Sequence, residues 1–414
     1  MSRPPALGVE EYLAEVLKLA DGPLPARWTA LEDVAGCVLA QDVSARLDVP
    51  CFCGSAMDGF AVRAQDLATE PEHVSGAVLR VVADIPAGTP ATVPLRPGEA
   101  ARIMTGGVLP AGADTVVPVE ATDQRPGPAP LPGFVRVLRP PIAGANVRRP
   151  GEDLHRGDLV LRRGEILRPA AVAAAAATGH GALLVHPRPR VAVLTTGSEL
   201  VPPGRTPEPG QLPDSNSLLL AELVTQLSCR VHSRRCVPDD PGPFRAALDE
   251  ALDADVVLTA GGVSAGAREV VRDVVDAEAR FVRVRVHPGK PQGSGTIVAS
   301  DGRRVPLLAL PGNPVAAFVS FLVFAAPLLA KLRGVEGGPR TVRARALTGW
   351  RSSPGYTEFM PVAVRDGGCA PTHPLGSRSH LIASLHLADG LAIVPEEVEE
   401  VRPGDELDVV EIPR

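Results

Sequence analysis

Residues 254–275 read ADVVLTAGGVSAGAREVVRDVV. A run of β-branched and apolar residues ends at Thr259, passes into Gly261, Gly262, Ser264 and Gly266, and gives way to a helical stripe of Val270, Val271, Val274 and Val275. Glycines at such a strand-to-helix junction let backbone N–H groups approach an anion at the positive end of a helix, so phosphate is the first ligand to consider. Two commoner loops are excluded. Gly261 and Gly266 have P-loop spacing, but Ala267 and Arg268 stand where that loop needs Lys and Ser or Thr, and Val263 takes the middle glycine position of the dinucleotide fingerprint. A tight turn holding no ligand is the plain alternative on these residues alone.

The pattern extends on both sides. From Arg190, strand VAVLTTG is followed by a helix over Ser217–Leu227, strand RVHSRRCV, a helix over Pro243–Leu252, strand DVVLTAGG, a helix over Glu269–Val275, strands FVRVRVHPG and VPLLALPG, and a helix over Pro314–Leu332. This alternation predicts a doubly wound α/β domain with ligands at the carboxyl ends of its strands. Five polar or glycine-rich clusters fall at those ends: TTGSEL (Thr195–Leu200), LPDSN (Leu212–Asn216), the AGGVSAG loop, HPGKP (His287–Pro291) and LPGNP (Leu310–Pro314). Together they describe a lined crevice. Each has a blander reading: Asp214 as a helix cap, Glu199 and Glu269 as helix-entry carboxylates. Lys290 stands out by usage. Only Lys18, Lys290 and Lys331 among 42 basic residues are lysine, so a glycine-flanked lysine suggests a compact charge placed at a phosphate.

Upstream, Val9, Leu13, Val16, Leu17 and Ala20 recur at helical spacing, and a second helical segment is expected over about Leu31–Ala40. Between Asp48 and Pro140 short β-rich pieces broken by Pro and Gly suggest a small all-β insert, and RPAAVAAAAATG then restores helix, with Pro169 near its first turn and Gly179 at its end. The expected segmentation is 1–47 helical, 48–143 β-rich insert, 144–184 helical again, 185–333 α/β and 334–414 a C-terminal β-barrel-like domain.

A chain of 414 residues is long enough for several such domains, and 45% hydrophobic residues argue against disorder. A net charge of −6 and 3% aromatics leave little for phosphate tracking or base stacking, so nucleic acid is not an expected partner. The beginning MSRPPALGVEEYLAEVL carries no apolar signal-peptide core, and cytoplasmic residence is expected. Val305–Ala330 is uncharged, but LPGNP divides it, and the helix beyond is about 25 Å long against a hydrocarbon core of roughly 30 Å, so a buried helix is expected and no membrane. Six cysteines without CxxC spacing, Cys51 and Cys53 among them, read as reduced packing residues.

The insert has two clusters of its own, GSAMDGFAV (Gly54–Val62) and ARIMTGGVLPAGADTVVPVE (Ala101–Glu120). SAMDGFA, RIMTGGVLPAGADTVV, GANVRRPGED, TTGSEL, AGGVSAG, PGKP and LPGNP, in that order over about three quarters of the chain, closely resemble the MoeA family, the molybdopterin molybdenumtransferases related to the gephyrin E domain. The resemblance implies the four-domain architecture above and a homodimer with its active cleft between subunits. It also implies a reaction that joins molybdate to the dithiolene sulfurs of adenylylated molybdopterin and releases AMP and water. Family acidic positions fall on Asp58, Glu120, Asp153, Glu199 and Asp214, with Thr105, Arg148 and Lys290 as polar or cationic contacts. Gly261, Gly262, Ser264, Gly266, Gly312 and Asn313 would cradle the phosphate side of the pterin nucleotide. Mg²⁺ on Asp214 and Glu269 would offset charge around the pyrophosphate.

Two departures accompany the match. Glu269 replaces the usual Asp, moving its carboxylate by about 1 Å, a displacement able to cost about a hundredfold in rate. His287 replaces a Lys before PGKP, with only partial charge near neutral pH expected, raised by nearby anions. These leave a weakened paralogue acting as a molybdopterin-binding scaffold as the alternative. The sister activity, molybdopterin adenylyltransferase, shares the α/β domain but not the flanking ones. An adenylyltransferase or molybdoenzyme apoproteins would be further partners.

Overall fold

The computed structural model describes residues 6–67, 76–263, 269–335 and 339–412. Its chain divides into two compact units, one made of residues 1–41, 163–168 and 183–414, the other of 42–162 and 169–182.

The larger unit is built on a six-stranded sheet in the order Arg230–Val237, Arg190–Thr196, Val256–Ala260, Arg304–Leu310, Pro291–Val298, Ala279–Arg283. The first four strands run parallel, while Pro291–Val298 is antiparallel to both of its neighbours. Side chains alternate across it: Val191, Val193, Val256 and Leu258 join one core, Ala192, Leu194, Val257 and Leu307 the other. Helix Asn216–Gln226 covers the first face and Pro241–Ala251 the second. The chain therefore leaves Arg190–Thr196 toward one edge and returns over the opposite face to Val256–Ala260. The point where its direction reverses lies between the carboxyl ends of those two strands, where open α/β sheets bind ligands.

The apolar helical run Pro314–Arg333 is long and apolar enough to cross a membrane, yet 78% of its most apolar window is buried inside the protein. Phe318, Phe321, Phe324 and Leu328 pack there with Tyr12 and Val16 of the first helix, Val9–Leu17. Pro327 cannot donate to the carbonyl four residues before it, and the helix absorbs the loss as a π turn at Phe321–Ala325 in which the Ala326 N–H donates to Phe321 O. Beyond Gly334, five strands close on themselves as a barrel: Thr357–Arg365, Gly368–Pro371, Thr341–Ala346, Glu406–Glu411 and Gly390–Val394, the last pairing back with the first.

Two sequence expectations fail locally. Residues 31–40 hold one 3₁₀ turn, Leu31–Asp33, then strand Val38–Leu39, because Gly36 adopts φ +78° and Val38 and Leu39 pair with His186 and Val185. The apolar spacing that mimics a helix is that of a buried turn and strand. FVRVRVHPG is not one strand: it breaks after Arg283, where the Val284 N–H turns to Lys290 O, and Val286–His287 pairs with Thr357 and Glu358 of the barrel.

In the smaller unit, five strands ordered Thr115–Pro118, Gly59–Val62, Glu99–Ile103, Ala77–Ile85, Phe134–Val137 form a sheet buried on both sides, with Phe60 and Val62 on one face and Ala61 on the other. Gly59 is obligatory: a Cβ there would lie 2.0 Å from Val117 O on the adjoining strand. Helix Pro169–Ala177 ends at Gly179, which adopts φ +90°.

Candidate functional site

In the smaller unit, backbone hydrogen bonds knit together three motifs far apart in sequence. Strand Gly54–Ser55 pairs with Val147–Arg148, Ala56 N–H donates to Asn146 O, Ser55 N–H donates to Gly107 O, and Gly106 N–H donates to Ser55 O. SAMDG, MTGG and GANVRR thus occupy one neighbourhood. Within it the Thr105 N–H and hydroxyl both donate to Asp58 Oδ1, at 2.7 and 2.8 Å. Those two donors hold the Asp58 carboxyl below the usual range, so an exposed carboxylate is kept ionised and fixed in direction. Val119 N–H donates to Asp58 O, which sets the exposed Glu120 next along the chain. Arg148 is exposed on the paired strand, and Asp153 is tied through its N–H to Val49 O rather than to Asp58.

In the larger unit the loops after Arg190–Thr196, Val256–Ala260 and Arg304–Leu310 converge. Gly261, at φ +102°, passes so close to Thr196 that a Cβ would stand 2.5 Å from its carbonyl oxygen, and its N–H donates to Leu310 O. Gly262, at φ +63°, has Val271 N within 3.0 Å of where a Cβ would be, and a Cβ on Gly312 would touch Gly261 Cα at 3.3 Å. Three backbone segments therefore meet with no side chain between them, at the topological switch point. The hydroxyls of Thr196 and Thr259, buried there, have no protein partner among the described residues. Ser264 and Gly266 lie outside the described residues.

Asp214 is 4% exposed and carries two assignments at once: Ser217 N–H donates to its Oδ1 at 3.1 Å, and the Thr195 hydroxyl donates to its Oδ2 at 3.0 Å. It is both a cap for the helix and a link to the strand end. Asn216 joins the same group by donating to Gly312 O at 2.6 Å, while its own Oδ1 has no partner among the described residues. Glu199 is exposed, its carboxylate 2.8 Å from where a Cβ on Gly197 would be. Glu269 precedes the short helix Val270–Val275 and accepts Asp273 N–H through its carbonyl. Asn313 stands at the start of Pro314–Ser320 without a side-chain cap bond.

The HPGKP loop lies at the same end of the sheet, since Pro291 pairs with Arg283 and Gly293 with Ala309. Gln292 braces it by donating to Gly289 O at 2.7 Å and to Ser320 Oγ at 2.6 Å. The Lys290 ammonium sits 3.8 Å from the centroid of the Tyr356 ring, a cation–π contact, and Lys290 in turn lowers the Tyr356 phenol. His287 differs from expectation. Burial, and then the Lys290 charge, push its imidazole below the usual value, the opposite of the rise expected from nearby anions. Tyr356, Gln292 and Ser320 carry no signal in the sequence, because each acts through a partner that only the fold supplies.

Among the described residues no group of three or more His, Cys, Asp and Glu side chains is placed to hold a metal ion. Both Asp214 oxygens already accept protein hydrogen bonds. A Mg²⁺ held by Asp214 and Glu269 would draw its remaining ligands from phosphate and water.

These features define a multi-domain protein whose doubly wound α/β sheet closes a glycine-lined crevice at its switch point. Residues 7–179 match the model of the MoeA N-terminal region (domain I and II), 192–331 a probable molybdopterin binding domain, and 343–412 the MoeA C-terminal region (domain IV). A Mycobacterium tuberculosis protein named molybdopterin molybdenumtransferase 2 is 41% identical over 92% of this chain and 93% of its own. A Haemophilus influenzae molybdopterin molybdenumtransferase is 29% identical over 96% and 97%. The crystal structure of the molybdopterin biosynthesis MoeA protein of Pyrococcus horikosii superposes with a TM-score of 0.73 at 29% identity, covering 99% of both chains. The chain belongs to the MoeA family, the molybdopterin molybdenumtransferases.

Proposed function

We propose that this chain inserts molybdenum into adenylylated molybdopterin, taking molybdate as co-substrate and releasing AMP and water, and that it works as a homodimer. The observation that carries the reading is the convergence of the Thr196, Gly261 and Gly312 backbones at the switch point, beside two buried hydroxyls without partners among the described residues. Backbone N–H groups and hydroxyls there suit the phosphate side of a pterin nucleotide. Lys290 supplies a fixed positive charge at the same end of the sheet, held in direction by Tyr356.

Asp58, kept ionised by Thr105, and Arg148 on the neighbouring strand form a second polar group of mixed sign. An oxyanion such as molybdate is repelled by carboxylates unless cations screen them, so Arg148 is assigned to screening beside Asp58, Asp58 to orienting the group that attacks or leaves, and Lys290 to the phosphate side of the nucleotide. Asp214 positions Thr195 and the first turn of its helix around the nucleotide. Gephyrin-like scaffolding without turnover is the outcome to be distinguished. Purified protein is incubated with adenylylated molybdopterin, with and without molybdate, and AMP is quantified. Molybdate-dependent AMP release is expected; tight binding of the nucleotide with no AMP released in either condition would overturn the proposal.

A further inference from the structure

The amino ends of the same parallel strands carry a second cavity, of about 920 Å³, that the crevice does not use. It lies far from the glycine loops. Arg190 and Thr196 are the two ends of one seven-residue strand, which at about 3.3 Å per residue separates the cavity from the switch point by roughly 20 Å. Arg190 and Arg230 are the first residues of adjacent parallel strands and are direct register partners, and both line the cavity. Asp255 holds Arg190 through Nη2 at 3.1 Å and through its backbone N–H at 2.8 Å. Arg188 is pinned by donating from Nε to Ser228 O at 2.9 Å and from Nη2 to Cys229 O at 3.1 Å, and among the described residues its other donors meet no acceptor.

Arg27 and Arg230 also line the cavity, and neither has an ion-pair partner among the described residues. Asp33 is the remaining acid in the lining, so four arginines face two carboxylates, one of which is already satisfied. Burial pushes the Cys37 thiol up, while a hydrogen bond from the Arg188 backbone and then the charges of Arg188, Arg230 and Arg27 pull it down. Beside them Trp28, on strand Arg27–Ala30, is 60% exposed and lines the same cavity. A large aromatic face left in water next to uncompensated arginines is a costly surface for the protein alone, and it matches a ligand with one planar and one strongly anionic part.

We propose that this cavity is a binding site for a nucleoside phosphate, with the base stacked on Trp28 and the phosphates on Arg27 and Arg230. The cavity far exceeds a bare phosphate in volume and lies within the range of small-molecule sites. Arginine forks take phosphate oxygens in pairs, and stacking of a base on an aromatic ring adds about tenfold or more to affinity. The proposal does not depend on the reaction assigned to the crevice.

The chain has two tryptophans, Trp28 and Trp350, so Trp350→Phe leaves a single reporter inside the cavity. Its fluorescence is titrated with AMP, ADP, ATP, adenosine, inorganic phosphate and a short polyglutamate peptide. Saturable quenching by at least one of the three nucleotides is expected, at least about tenfold tighter than by adenosine or inorganic phosphate. Arg230→Gln and Arg27→Gln should each weaken it about tenfold with the far-ultraviolet circular dichroism unchanged. Absence of saturable quenching, inorganic phosphate binding as tightly as any nucleotide, or indifference to both arginine replacements would overturn the assignment. Saturation by polyglutamate alone would overturn it in favour of an acidic protein segment.

Discussion

Replacing Asp214 separates a helix cap from a group that takes part in the reaction. Asp214→Ala removes the acceptor of Ser217 N–H, which costs about 1 kcal/mol as a lost cap, and the acceptor of the buried Thr195 hydroxyl, which costs about 1–2 kcal/mol more. The alanine variant should therefore lose roughly 2–3 kcal/mol of stability. Asp214→Asn is the informative change. Its Oδ1 still accepts from Ser217, and the Thr195 hydroxyl can turn to accept from the new amide, so stability should stay within about 1 kcal/mol of the parent. The carboxylate charge is gone. Cys236 reports this independently: burial raises its thiol first, and the Asp214 charge adds to that rise, so Asp214→Asn should make Cys236 react faster with iodoacetamide at fixed pH. If the charge at Asp214 serves the reaction, AMP release by the asparagine variant falls by at least about tenfold while the melt is preserved. A variant with unchanged melt, faster Cys236 alkylation and full turnover would refute the role and leave Asp214 as a cap alone.

The imidazole of His287 is held below its ordinary value by burial and by Lys290, so the unfolded chain binds the extra proton more readily than the native one. Its contribution to stability is present above about pH 6.5 and is lost as pH falls below it; NMR titration should place its midpoint under 6.5, and turnover should show no step from this residue between roughly pH 6.5 and 8.5. Gly261→Ala drives a Cβ to within 2.5 Å of Thr196 O at φ +102°, and should cost about 2–4 kcal/mol or displace the loop, read as a lower melt together with weaker pterin-nucleotide binding in calorimetry. Thr105→Val removes the hydroxyl donor to Asp58 but keeps the backbone one, so the Asp58 carboxyl should move back up toward the ordinary range in a carboxylate NMR titration, by part of its shift and not all. Light scattering at micromolar concentration should give a dimer, and an active monomer would contradict the homodimer proposal.

Much of the fold was legible because its signals are local. Alternation of apolar runs with helical stripes marks the α/β sheet, and the strand-end Gly261 and Gly262 mark a turn that only glycine fits, as their positive φ bears out. The buried helix from Pro314 was legible from its uncharged composition and its proline start. What failed was long-range. Nothing between Phe281 and His287 announces that the strand stops at Arg283, because the alternative partner of Val286 and His287 is contributed by Thr357 and Glu358, some seventy residues later. Val38 and Leu39 leave a helical spacing for a pairing with Val185 and His186 that no local window contains. In the candidate site, residues could be proposed from the sequence by type, whereas their braces could not: the ring under Lys290 and the hydroxyl on Asp214 are set by tertiary contacts. Burial misled the reading of His287 for the same reason, since its neighbours in sequence say nothing of what covers it.

The central claim is that this chain transfers molybdenum onto a pterin nucleotide held in the crevice, and that the charge of Asp58 is needed for it. The most direct test is to incubate the purified chain with adenylylated molybdopterin and molybdate, separate protein from small molecules, and measure molybdenum, pterin and adenine in the same fraction. The account predicts molybdenum and pterin recovered in equal amounts with adenine lost as free AMP, and a sharp decline of that product in Asp58→Asn. Pterin that stays bound, adenylylated and free of molybdenum in the parent protein would contradict it.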